Sequence, residues 1–352
     1  MLRNKAGLRE IVALFFQILI IWVYYISSTS NFNAQIAVLL RAFAFVPLFF
    51  CSPEFWKKSV DCFIKLLAVF LLFALIEHVL ISFIGIRLTS PSRYECPINP
   101  DRLYDAYYFN VYFHDHIGFF NRFFAFYDEP GIVGNIVMVL LYIQKFDLRK
   151  WYNIVFLISG LLSFSLTFYI ALLVYYVLFG QFRAKIAFII VAVIFVNYFY
   201  NNEDIYNLIF GRLTFEDGGL AGYNRENIDF KNWIYSISWK DYLFWGYQPR
   251  EAVVYAASWQ WAFALWGIVP SILYLISIVN CRIRNASDKN SVLSGLVLVV
   301  IIWIQRPFVY MYLYVLLLML PFMYSKDDDT VTDDTVTDDT ATDDTATDET
   351  AV

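Results

Sequence analysis

The chain has 352 residues, of which 60% are hydrophobic and 20% aromatic, while only 16% are charged. This composition excludes a soluble domain with a polar surface, because apolar runs near the ~20 residues of a bilayer span recur along the chain. The formal charge of -5 is misleading, since residues 327–352 hold eleven acids and leave 26 basic against 20 acidic residues elsewhere. The sequence therefore predicts an all-α polytopic integral membrane protein with a net positive body.

Apolar runs and the basic segments between them predict about ten transmembrane helices. Their ranges are 8–26, 34–51, 60–86, 130–146, two within 151–180, 186–200, 256–278, 291–304 and 307–324. Lys and Arg concentrate before the first span and in the connections that follow the second, fourth, sixth and eighth spans. This bias places these connections and both termini in the cytoplasm. Residues 87–129 (the first large loop) and 201–255 (the second large loop) are then extracytoplasmic, and residues 1–326 form one transmembrane domain.

Residues 151–180 are the ambiguous stretch of this topology. As one helix, these thirty residues would be about 45 Å long, against a hydrocarbon core of roughly 30 Å. A single span would also leave Arg183 and Lys185 on the outer side. Two short helices that turn at Ser163-Phe164-Ser165 would return these bases to the cytoplasm, and the hydroxyls could satisfy backbone groups freed at the turn. We therefore predict a helical hairpin.

Residues 327–352 repeat the pentapeptides VTDDT and ATDDT and contain no aromatic residue. Such a segment cannot bury enough apolar surface to offset the entropy cost of ordering it. The repeat predicts a disordered acidic tail without a catalytic role.

Four ionisable residues inside predicted spans require an explanation. Lys65 lies near the inner end of its helix, where its side chain can reach the interface. Arg41 and Glu77 lie at similar depths in adjacent spans, so a structural ion pair is favoured over a functional role. His78 follows Glu77 but points about 100° around the helix, which indicates a packing residue.

The first large loop contains most of the groups able to do chemistry. From Tyr104 to Tyr127 half of the positions are Tyr or Phe, a pattern that an aromatic belt at the headgroups would explain. A belt does not explain the triplet His114-Asp115-His116 within the same stretch. The two histidines lack a third ligand at a familiar spacing, so we expect no metal site and a metal-independent protein.

Arg122 precedes Asp128-Glu129-Pro130-Gly131 at the start of the predicted span 130–146. Proline is tolerated in the first helical turn, and acids just before it face the positive end of the helix dipole, so a capped helix entry accounts for residues 128–130. It does not account for Arg122, Gly131 or Gly134. Small residues here either let another helix approach closely or leave room for a ligand.

Three stretches resemble those of the bacterial oligosaccharide repeat-unit polymerases, the Wzy or O-antigen polymerase family. Residues 122–134, RFFAFYDEPGIVG (the signature segment), are similar to the pattern R-x-x-g-x-f-x-E-P-G-x-x-g. Residues 161–178, LLSFSLTFYIALLVYYVL, resemble the family's short helix pair joined by Ser-x-Ser. Residues 224–247, NRENIDFKNWIYSISWKDYLFWGY, resemble a helix that begins with arginine in the second large loop.

The resemblance implies a membrane glycosyltransferase with a GT-C-like fold in the bacterial inner membrane. It would transfer a growing glycan from undecaprenyl diphosphate to the non-reducing end of another lipid-linked repeat unit. The implied partners are this lipid-linked oligosaccharide, membrane lipids, and possible associates such as a chain-length regulator and a flippase, with no nucleic acid.

Transfer from a lipid diphosphate requires cations at headgroup depth, where charge develops on the leaving group. The candidates are four arginines in the large loops and one in the turn between the last two spans: Arg122, Arg212, Arg225, Arg250 and Arg306. The acceptor hydroxyl needs a base, for which Glu129 is the first candidate, followed by His116 and His114. Glu129 has a second possible role, which is to hold Arg122 in register.

The second large loop contains apolar residues at helical spacing after Asn224, which reads as an N-cap. We expect an amphipathic helix on the membrane surface that ends near Gly246, with Ser236 and Lys240 on its polar face. This helix would serve as a lid or scaffold, or contact substrate through Arg225.

Two other functions are compatible with the sequence. A ligase that transfers the glycan to lipid A core or to protein would use the same donor and fold. A transporter or flippase of lipid-linked sugars would place charges along the spans at the bilayer midplane. The charges here concentrate in the large loops, which favours an enzyme over a transporter.

Overall fold

The computed structural model describes residues 53–95, 103–114, 121–180, 267–280 and 289–305, together with single positions elsewhere. Its elements in chain order are α1 (Pro53–Val79), β1 (Ser92–Glu95), β2 (Leu103–Ala106), β3 (Val111–Phe113), α2 (Pro130–Ile143), α3 (Trp151–Leu162), α4 (Leu166–Phe179), β4 (Phe215–Glu216), β5 (Gly219–Leu220), α5 (Ile268–Asn280) and α6 (Lys289–Gln305). The tail 327–352 and most of the second large loop lie outside the described residues.

Helix α1 corresponds to the third predicted span and begins earlier than expected. Lys57 and Lys58 lie in its first turns, whereas the sequence pattern placed them in a basic loop. Beyond Val79 the helix continues as a π-helical turn, Leu80–Ile84, which ends at Gly85 with φ 78°. Among the described residues, Phe55–Ile84 is the one helix whose length and composition would suffice to cross a membrane. The ten-span topology remains a prediction.

Helix α2 lies at the centre of the described helices. Thirteen of its 14 residues are buried, as expected for a helix that is apolar on all sides. It packs against α3, α4 and α6. The predicted helix entry is confirmed: Glu129 is the N-cap residue, with extended backbone, and Pro130 occupies the first helical position.

The predicted break within residues 151–180 is also confirmed, because α3 and α4 are separate helices joined by Ser163-Phe164-Ser165 (the Ser-Phe-Ser turn). Phe164 has a φ of 46°, in the left-handed region that non-glycine residues rarely adopt. The Ser163 hydroxyl donates to the Gly160 carbonyl at 2.7 Å and accepts from the Ser165 amide at 3.3 Å. Ser163 therefore satisfies backbone groups of the turn, as predicted, whereas the buried Ser165 hydroxyl has no hydrogen-bond partner within the described part of the chain.

The first large loop contains strands, which the all-α prediction did not foresee. Strands β1, β2 and β3 form an antiparallel sheet in sequential order, with Tyr94 opposite Tyr104 and Tyr104 opposite Phe113. These three rings stack across the sheet at centroid distances of 5.4 and 5.2 Å. The dense aromatic residues that suggested a membrane belt thus include a cross-strand ladder that stabilises the sheet.

Glu77 connects this sheet to α1. Its carboxylate is 1% exposed and lies against residues 107–110, the turn between β2 and β3. It accepts the backbone amides of Tyr108 at 3.2 Å and Phe109 at 2.8 Å, and the Asn110 side-chain amide at 3.1 Å. Asn110 also donates to the Ala74 carbonyl at 2.7 Å. Arg41, the predicted ion-pair partner of Glu77, lies outside the described residues.

His78 packs against the same loop, which confirms its prediction as a packing residue. Its ring is 1% exposed, and Nδ1 shares a 2.8 Å hydrogen bond with the Tyr112 hydroxyl. Its ring also meets Phe123 edge-on at 5.3 Å. Burial raises the pKa of the Tyr112 phenol far above its ordinary value, so this hydroxyl remains protonated in its contact with His78.

Helix interruptions occur at two further places in the predicted pattern. Gly267, inside the predicted span 256–278, has a φ of 89° and precedes α5, so the expected continuous helix is broken there. In the second large loop Ser236 and Lys240 are helical and exposed, as expected of a polar face. Ser238 between them is not helical, so the predicted amphipathic helix is interrupted.

We expect the substitution Glu77→Gln to lower the free energy of unfolding by about 2 kcal/mol, because a neutral amide is a weaker acceptor and its NH₂ faces backbone donors. Thermal unfolding in detergent would measure the change. Glu95→Gln, which alters an exposed carboxylate on β1, is the control and should unfold like the wild type. Equal midpoints for the two variants would contradict an anchoring role for Glu77.

Gly134 allows α2 to approach the Ser-Phe-Ser turn, since a Cβ at this position would lie 2.6 Å from the Ser165 Cβ and 2.8 Å from its Oγ. We expect Gly134→Ala to destabilise the protein by about 1–3 kcal/mol through overpacking. Adding Ser165→Gly should restore part of the loss, because it removes both clashing atoms. The two changes would be measured together and singly by thermal unfolding; strictly additive losses would contradict this close approach.

Candidate functional site

Arg122, the first residue of the signature segment, binds the Ser-Phe-Ser turn. Its Nε donates to the Ser163 carbonyl and its Nη2 to the Phe164 carbonyl, each at 3.2 Å. The backbone amide of Phe123 donates to the Leu162 carbonyl at 2.9 Å. Helix ends leave carbonyls without intrahelical partners, and a guanidinium can serve two of them at once. A structural role for Arg122 therefore follows from its geometry, while diphosphate binding remains a prediction.

The signature segment also contacts the sheet on its other side. Val111 of β3 donates its amide to the Ala125 carbonyl at 2.9 Å, and the rings of Phe113 and Phe124 meet edge-to-face at 5.0 Å. Residues 121–127 thus lie between the sheet and the hairpin of α3 and α4. Residues 122–134 and 161–178, two of the three stretches that carry the resemblance, are therefore in direct contact.

The two small-residue positions of the signature have separate physical explanations. Ala125 stands where the family pattern favours glycine, and its φ of 49° lies in the left-handed region. Gly134 stands at the second such position, where α2 meets Ser165. Of the two explanations weighed for Gly134, close approach of another helix agrees with its surroundings.

Glu129 lies at the junction of the segment and α2. Its backbone carbonyl accepts the Ile132 amide at 3.1 Å, which starts the helix, but its side chain makes no capping hydrogen bond. The side chain is half-buried, like that of the neighbouring Asp128. The carboxylate that the sequence selects as the first candidate base is therefore placed at the helix mouth as predicted.

His114 belongs to a charged group on one face of the sheet. Its Nδ1 lies 2.9 Å from Oδ2 of Asp105, and Oδ1 of Asp105 accepts from Nε of Arg93 at 3.1 Å. The Asp105 side chain is 3% exposed, against 28% for His114 and 62% for Arg93. A buried carboxylate thus holds an imidazole that is partly accessible, an arrangement suited to proton transfer.

The remaining predicted site residues lie outside the described residues: His116, Arg212, Arg225, Arg250 and Arg306. Within the described ranges, no group of three or more His, Cys, Asp or Glu side chains is arranged to hold a metal ion.

Sequence reasoning missed the part that Asp105 plays. Asp105 lies nine residues before His114, and the two come together only because β2 and β3 form a hairpin that puts both on one face. The sequence did contain a signal for this hairpin: in residues 104–113, YDAYYFNVYF, the turn residue Asn110 falls between β-forming aromatic residues.

No such signal existed for the contacts of Arg122. Its partners are backbone carbonyls about forty residues further along the chain.

Comparison with known proteins gives no match: no family model, curated protein or solved structure is similar enough to this chain to be matched with it. The resemblance carried by the signature segment and the two other stretches is therefore a prediction, and the function is argued from the residues.

We expect Arg122→Gln to lower the free energy of unfolding by about 2 kcal/mol without any ligand present, because two carbonyl oxygens lose a charged donor. Thermal unfolding in detergent checks this. The matched control is Arg149→Gln in the connection between α2 and α3. Arg149 is exposed and pairs with Asp147 at 2.9 Å, so this change should leave the unfolding midpoint unchanged. Wild-type stability of the Arg122 variant would assign the residue to ligand binding alone.

Proposed function

We propose that the protein is a membrane glycosyltransferase that joins undecaprenyl-diphosphate-linked oligosaccharide repeat units into a surface polysaccharide, O-antigen or capsule, on the outer face of the bacterial inner membrane. The observation that carries the proposal is the contact between the signature segment and the Ser-Phe-Ser turn, through Arg122 and Phe123. Two stretches that resemble the polymerases separately in sequence thus also form one unit in the fold.

The proposed chemistry places cations around the leaving diphosphate and a base near the acceptor hydroxyl. Arginine suits the first task, because its planar fork matches phosphate oxygens. Arg122 would combine its turn contacts with an electrostatic contribution to the diphosphate site, and Arg212, Arg225, Arg250 and Arg306 complete the proposed cation set. Under this proposal the arginines replace a divalent ion, and the reaction is metal-independent.

A ligase-type glycan transferase is the second candidate, because it would use the same donor and the same cations. The two enzymes differ in the acceptor, which is another repeat unit for the polymerase and lipid A core or a protein for the ligase. A flippase is less favoured. A flippase would need charged residues along the spans for transport. Glu77, one of the ionisable residues within a predicted span, instead accepts hydrogen bonds from backbone and side-chain amides of the loop between β2 and β3, as expected of a structural anchor.

We expect deletion of the gene in its host to remove the ladder of surface glycan on a gel while a single-repeat band remains, because ligation of unpolymerised units would continue. Complete loss of surface glycan would instead favour a ligase or a flippase. Complementation with Glu129→Gln should give no ladder at a normal level of membrane protein, whereas Arg149→Gln should restore it fully. A wild-type ladder from the Glu129 variant would remove Glu129 from the mechanism.

A further inference from the structure

We propose that Asp105 is a positioning residue that orients His114, and that His114 is the base which accepts the proton of the attacking hydroxyl. The inference rests on the proposed glycosyl transfer; it makes His114 the base and leaves Glu129 its other proposed role, which is to hold Arg122 in register. It is carried by the geometry of the charged face of the sheet.

The placement of the pair follows from the register. Asp105 pairs with Tyr112 across β2 and β3, and His114 directly follows β3, where its 2.9 Å contact with Asp105 places its ring on the Asp105 side of the sheet. The other face carries the stacked rings of Tyr104 and Phe113. The Asp105 side of the sheet also carries Tyr112, which is buried against His78 of α1, so the charged group lies beside a packed aromatic contact.

The tautomer of His114 is determined by its neighbour. Oδ1 of Asp105 accepts from Nε of Arg93, and an ionised carboxylate can only accept hydrogen bonds. His114 must then donate from Nδ1 across the 2.9 Å contact. In the neutral ring this places the basic lone pair on Nε2.

The contrast with Glu129 lies in the surroundings. Glu129 is the N-cap residue of α2, where the positive end of the helix dipole stabilises its charged form and weakens it as a base. His114 lies instead beside a buried carboxylate that can orient its ring. Among the described residues, the charged groups of the sheet are Arg93 and Glu95 on β1 and Asp105 on β2.

The acceptor O–H gives its proton to Nε2 of His114 as its oxygen forms a bond to the anomeric carbon of the donor. The bond from that carbon to the phosphate oxygen breaks, and undecaprenyl diphosphate leaves with the electron pair. The imidazolium then returns its proton to water.

The test uses the full-length protein in lipid nanodiscs and lipid-linked repeat units extracted from a host strain that lacks the gene. We expect His114→Gln and Asp105→Asn each to lower the polymerisation rate by about 100-fold or more. Arg93→Gln, which removes the exposed partner of Asp105, and Asp147→Asn, a matched aspartate paired with Arg149, should stay within about threefold of the wild type.

The pH profile separates a base from a structural contact. The wild-type rate should fall at acidic pH, because a base must be unprotonated to accept the proton of the hydroxyl. His114→Gln should abolish the limb. If Arg93→Gln were as damaging as His114→Gln, or if His114→Gln kept half of the wild-type rate, the charged group would only hold the strands together and the proposal would be overturned.

A second measurement does not depend on turnover. The chain has three histidines, so ¹⁵N spectra of histidine-labelled wild-type protein can be assigned by comparison with His114→Gln. A proton on Nδ1 of His114 supports the orientation by Asp105, and a proton on Nε2 alone overturns it. A wild-type protein that binds the lipid-linked repeat without extending it would instead refute the proposed function itself.

Discussion

Buried backbone groups need hydrogen-bond partners, and two charged side chains of this protein supply them where the chain turns. Arg122 donates to two carbonyls of the Ser-Phe-Ser turn, and Glu77 accepts two amides from the turn between β2 and β3. Water cannot hydrogen-bond to such groups in apolar surroundings, so one charged side chain that makes several hydrogen bonds satisfies them instead. The helical hairpin and the sheet both depend on these contacts.

The same contacts connect the parts that the proposed chemistry needs. The signature segment lies between β3 and the hairpin, bonded to one through Ala125 and to the other through Arg122. His114 follows β3, and Glu129 begins α2, so both candidate bases are attached to elements that this segment joins. A change at Arg122 therefore acts on the architecture as well as on any bound diphosphate, and stability must be measured beside activity.

Local features of the sequence predicted much of the helical framework. Pro130 at the first helical position, the break at Ser163-Phe164-Ser165 and the packing role of His78 follow from the steric limits of proline, from hydrophobic length and from helix periodicity. The sheet was missed because its strands are short and its aromatic residues fit a membrane interface equally well. Helix breaks at Gly267 and Ser238 were missed because apolar periodicity continues across them.

The sequence by itself determined where α2 begins, where the hairpin of α3 and α4 breaks, and which residue types are available for the proposed chemistry. Only the tertiary structure decided what those residues contact: Asp105 with His114, Arg122 with Ser163 and Phe164, and Glu77 with the turn after β2. The physical reason is that periodicity and propensity act over a few neighbouring residues. Partners such as backbone carbonyls carry no side-chain signal, and they meet a distant charge only after strands and helices have packed.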